Sequence, residues 1–174
     1  MNRIRSTWRT LYLLTGLVMI VVGGCASESE QEQLDNYRDR IGPAYTDVRE
    51  AQNEFENSIQ QTVNLNTAES SATDSVEIVT ARALKFQTSA GILISILRSE
   101  KPLDRCAVYS SVLSDLMEAY SSEADLVIEE IELLSGGVAG SLESRELEAT
   151  HLGEEIDLLV TVLPRAEIDC FVIE

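Results

Sequence analysis

The residues with the chemistry to act are few, and their spacing does not bring them together. Glu148-Ala149-Thr150-His151 puts a carboxylate and an imidazole three positions apart on one helix face, an element that supplies ligands in di-iron bundles. Such a site needs the element twice, with two further inward glutamates, and His151 is the chain's one histidine. The sequence therefore predicts no metal site and no cofactor. Glu129, Glu130 and Glu132, like Glu154, Glu155 and Asp157, offer carboxylates enough for acid–base work. Neighbouring helical positions point to different faces, however, and acidic runs of this kind mark solvated surface. There is no G-x-S-x-G, no Walker A motif and no dinucleotide-binding glycine fingerprint, and a single histidine leaves no Ser/His/Asp triad to assemble. The three cysteines, Cys25, Cys106 and Cys170, contain no C-x-x-C redox pair. No catalytic residue is assigned, and the chain is not expected to be an enzyme.

The elements that would position these residues are helices. Leu34, Ile41, Val48 and Phe55 recur every seven residues, with Tyr37, Ala44 and Ala51 three positions after the first three, the seam of a long packed helix. Pro43 lacks an N–H and crowds the preceding turn, so the first helix is expected to kink or break near Gly42-Pro43. After a polar loop at 64–72, Thr73 or Asp74 can cap a second helix. Its seam is Val76, Val79, Ala83, Phe86, Ala90, Leu93 and Leu97, widened by Ile78, Leu84, Ile92 and Ile96. Pro102 suits the first turn of a third helix running to about Leu134, with Cys106, Tyr109, Leu113, Leu116, Tyr120, Ala124, Val127, Ile131 and Leu134 inside. The glycine-rich turn at 135–140 stops it. A fourth helix starts near Leu142 with Ala149, Leu152, Ile156, Leu159 and Leu163 inside, ended or bent at Pro164. Short connections make neighbouring helices run in opposite directions. The expected fold is all-α, an antiparallel up-down four-helix bundle over residues 34–174.

The amino terminus carries a different signal. Arg3, Arg5 and Arg9 form a positive segment, followed by an apolar run from Leu11 to Val22 that falls short of the roughly 20 residues a membrane-spanning helix needs. Val22-Gly23-Gly24-Cys25 resembles the lipobox of bacterial lipoproteins, with valine where leucine is commonest. The likeness covers residues 1–27 alone. It implies that residues 1–24 are a signal peptide that is removed, that Cys25 is the lipidation site, and that the mature chain is held to the membrane by covalent lipid. Several acyl chains make a stable anchor where one would not. Ala26, where an aspartate would retain such a protein in the inner membrane, implies the outer membrane, facing the periplasm, if the cell has two. Residues 25–33 then form a lipidated, acidic, flexible spacer.

Removal of residues 1–24 takes three arginines and no acid, leaving 10 basic against 30 acidic residues. So acidic a body repels nucleic acid and anionic headgroups. With Cys25 taken by lipid, Cys106 and Cys170 remain as an even pair in an oxidising compartment, and a disulfide between them is expected over two buried thiols. An anchored helical bundle of this kind reads as a non-enzymatic interaction, assembly or structural module for an envelope protein. Small helical lipoproteins that serve as pilotins are similar in size and anchoring. The alternative is a carrier that holds a hydrophobic ligand in the bundle, suggested by Gly91 among Ile92, Leu93, Ile94 and Ile96.

Overall fold

The computed structural model describes residues 28–65, 72–99, 102–136 and 142–172. They form four long helices, α1 (Glu28–Leu65), α2 (Ala72–Ser99), α3 (Ala107–Gly136) and α4 (Leu142–Phe171), with a short 3-10 turn at Asp104–Cys106 leading into α3. No strand occurs among the described residues, and Cys170 and Phe171 complete α4. None of the described helices is long and apolar enough to cross a membrane.

The heptad pattern does in space what it promises in sequence. Leu34, Tyr37, Ile41, Ala44, Val48, Ala51 and Phe55 are all buried, and Ser58 and Ile59 continue the seam. Val79, Ala83, Phe86, Ala90, Leu93 and Leu97 of α2 meet them and also meet Tyr109, Leu113, Leu116, Tyr120 and Ala124 of α3 in one core. Phe55 and Phe86 stack with ring centroids 6.3 Å apart, tying α1 to α2. Successive helices pack together, and α4 adds Ile156, Leu163, Ala166 and Cys170 to the buried set.

Several expectations shift. Helix α1 begins at Glu28, so residues 28–33 are helical rather than spacer, and it continues without interruption through Pro43. Pro43 leaves the Asp39 carbonyl without its usual donor, while one residue earlier the Thr46 hydroxyl donates to the Gly42 carbonyl at 2.9 Å. Helix α4 likewise runs through Pro164. Ile78, Leu84 and Ile92, expected to broaden the inner face of α2, are each more than half exposed. Ala149, placed inside α4 by its spacing, lies on the surface.

Candidate functional site

Two places in the bundle gather polar chemistry. The first is the end where α3 starts and α4 stops. Cys106 and Cys170 are joined in a disulfide with Cα atoms 4.3 Å apart, and both residues are fully buried. Arg105, next to the bridge, donates from Nη2 to the Val172 carbonyl at 2.6 Å and from Nε to the Asp169 carbonyl at 3.3 Å. It thereby satisfies carbonyls that the end of α4 would leave unpaired, and it places a cation at the negative end of that helix. Its Nη1 also lies 3.3 Å from Glu30 Oε1, so one side chain joins the start of α1 to the end of α4. Phe171 closes the cluster. Its ring sits edge-on to Tyr109 at 5.3 Å, stacks against Tyr37 at 6.2 Å, and lies under the Arg38 guanidinium at 4.9 Å. Burial raises the Tyr109 hydroxyl far above its ordinary range, with the nearby Glu167 charge adding to the effect. These interactions constrain a helix terminus; none leaves a reactive group exposed.

The second place is midway along the bundle, where a partly enclosed cavity of about 20 Å³ is lined by Gln52, Phe55, Glu56, Phe86, Tyr120, Glu123 and Val127. That is room for one water-sized molecule. The Glu123 carboxyl is pushed up to about 7, first by burial and then by the charges of Glu56 and Asp157. Glu56 is raised as well, by burial, against an opposing hydrogen bond from Gln52, and its Oε1 has no protein partner. Burial also raises Tyr120, with Glu123 the largest of the charges behind it. Carboxylates from α1, α3 and α4 therefore converge on one level of the bundle, and the charges of Glu56 and Asp157 add to burial in favouring the protonated form of Glu123.

The residues singled out by sequence fare unequally. Cys106 and Cys170 are brought together, whereas Cys25 lies outside the described residues. His151 and Glu148 are exposed on α4, and His151 Nδ1 lies 3.9 Å from Glu154. No group of three or more potential metal ligands occurs among the described residues. Glu129 pairs with Arg145 at 3.0 Å. Gly91 is exposed, a Cβ there would meet nothing within 4 Å, and the cleft beside it, between α2 and α3, opens to solvent. The signal for Glu56 and Glu123 was weak but present: each adjoins a seam residue, Phe55 and Ala124, and so sits at the edge of the buried stripe.

Set beside known protein families, curated proteins and solved structures, the chain matches none.

Proposed function

We propose that this is a lipid-anchored bacterial envelope protein whose helical bundle serves as a protein-interaction, assembly or structural accessory module rather than as an enzyme. The observation that carries the reading is the basic segment, short apolar run and Val22-Gly23-Gly24-Cys25 in series, directly ahead of a helical body with a disulfide. The membrane is reached through lipid on Cys25, in the outer membrane if the cell is diderm, and the body faces the periplasm. Exposed Leu147, Leu158 and Val162 support the interaction role. They are spaced by eleven and four residues, so they line one outward stripe of α4. The carrier alternative is less well supported: the enclosed cavity of about 20 Å³ is too small for an acyl chain, and the roomier cleft beside Gly91 lies open to solvent.

The same reading takes the helices as an up-down antiparallel bundle with α1 bent at Gly42-Pro43. Its support is pairwise. Gln87 of α2 reaches Asp125 of α3, whereas Ser110, earlier on α3, donates to the carbonyl of Leu97, later on α2. Arg105 meets Val172 at one end of the α3 and α4 pair, and Glu129 meets Arg145 towards the other.

The test is metabolic labelling with a fatty-acid analogue in a bacterial host, followed by membrane flotation. The wild type is expected to carry label and to float, and Cys25→Ala to lose both. Equal labelling of Cys25→Ala would refute the anchor. Crosslinking at Leu158 in the membrane-resident protein tests the interaction role; a purified protein that retains lipid and crosslinks to no envelope protein would favour the carrier.

A further inference from the structure

We propose that the bundle stands end-on to the bilayer, with its disulfide end against the headgroups and its opposite end projecting away. The proposal rests on lipidation of Cys25 and adds to it a surface and an orientation. Helix α1 begins at Glu28, only three residues beyond Cys25. Three residues, fully extended, reach about 11 Å, so the start of α1 cannot leave the headgroup zone. Arg105 fixes that start, through Glu30, to the end of α4 and to the first turn of α3. The Tyr37, Tyr109 and Phe171 cluster lies within the same few turns. The tether therefore attaches to the most constrained part of the body. Helix α1 has 38 residues, and at 1.5 Å per residue an upright bundle carries its other end about 57 Å outwards.

Charge favours the same orientation independently. Of the nine basic residues in the described chain, Arg38, Arg40, Arg98, Arg105 and Arg165 belong to the disulfide half, where they partly offset acids that include Glu30, Glu32, Asp35, Asp39, Asp104, Asp115, Glu118, Glu167 and Asp169, so that half is the less acidic of the two. Among the described side chains, the last turns of α3 and the first turns of α4 hold Glu129, Glu130, Glu132 and Glu148 against Arg145 alone. Lying flat would bring that acidic stretch against headgroups, and standing upright removes it beyond a screening length of about 8 Å. The surface that meets the lipid includes exposed Val108 and Ile168, each two residues from a bridge cysteine, together with the partly buried Leu103 and Val172.

The mature chain has no tryptophan, because the single one is Trp8, and this makes the test clean. Val108→Trp and Ile168→Trp report the disulfide end, and Ile78→Trp and Leu147→Trp the opposite end; all four positions are exposed, so each substitution spares the core. Each full-length, acylated variant is reconstituted in phosphatidylcholine vesicles bearing a headgroup nitroxide. The expected result is several-fold stronger fluorescence quenching at 108 and 168 than at 78 and 147. Equal quenching at both ends means a bundle lying flat, and stronger quenching at 78 and 147 an inverted one; either overturns the proposal. No quenching at any of the four, in acylated and vesicle-bound protein, also overturns it. Absence of an acyl mass on Cys25 defeats the anchor itself, an outcome that mass spectrometry separates from the others.

Discussion

The two ends of this bundle are built to different standards. At one, a disulfide, an arginine that caps a helix terminus, and three aromatic rings enclose residues exposed by no more than 6%, among them Leu34, Tyr37, Leu97, Cys106 and Tyr109. At the other, Val127, Ile128 and Ile131 of α3 and Leu152 of α4 are only partly buried, and Leu147 is exposed. Since burial of apolar area is the main favourable term in folding, the difference is one of local stability. The first end holds the fold, and the second is the end expected to open first.

The largest test of that contrast is removal of the bridge. Cys106→Ser with Cys170→Ser is expected to lower the unfolding free energy by up to about 4 kcal/mol, the chain-entropy value for a loop of this length, in denaturant titration. Native-state hydrogen exchange should then show the start of α3 losing its advantage over the end of α3. Single truncations sharpen the comparison. Leu113→Ala, at a fully buried position, is expected to cost about 3 kcal/mol, and Leu152→Ala, where the side chain is partly in water, about 1 kcal/mol. Equal costs would erase the distinction between the two ends.

A third prediction concerns pH. The Glu123 carboxyl is held at about 7 in the folded chain against an ordinary 4.5, so the folded state binds a proton that the unfolded state has released. Its contribution is complete below 4.5 and is lost as pH rises through 7. Stability should therefore fall between pH 4.5 and 8, by up to roughly 3 kcal/mol, where buried carboxylates that are ion-paired would give the reverse slope. Glu123→Gln is expected to flatten the profile and raise the midpoint at pH 8. The smallest effect is Gly153→Ala: the residue is inside α4 and an added Cβ would meet nothing within 4 Å, so a gain of about 0.5 to 1 kcal/mol is expected by thermal unfolding.

Much of this architecture could be read from the chain because the seams of α1, α2 and α3 obey a strict three-and-four spacing, and burial follows that spacing from Leu34 to Phe55 and from Val79 to Leu97. Setting Cys25 aside as the expected lipidation site left Cys106 and Cys170 to pair, and the structure joins them. Periodicity fails where a second apolar stripe runs beside the first. Ile78 and Ile92 have the same composition signal as Leu93, and only the placement of the neighbouring helices decides which of them meets water. Ala149 fails for a related reason: alanine is small enough to fit either face, and the start of α4 is the loosely packed end. Glu56 and Glu123 stand 67 residues apart in sequence, and nothing local indicates that Asp157 faces them too. Arg105 was missed although it adjoins a bridging cysteine, because its partners are backbone carbonyls that carry no sequence signature.

The disulfide also divides the chain into two covalent units of unequal fate. Cys106 and Cys170 are 64 residues apart and enclose α3 and most of α4. A protease that cuts between α3 and α4 therefore separates nothing until a reductant is added. A cut between α1 and α2 parts the chain at once, releasing α2 with the cross-linked pair and leaving α1 with whatever is attached at Cys25. Limited digestion of the protein, resolved with and without reductant, would thus sort its cleavage points by which fragments remain together.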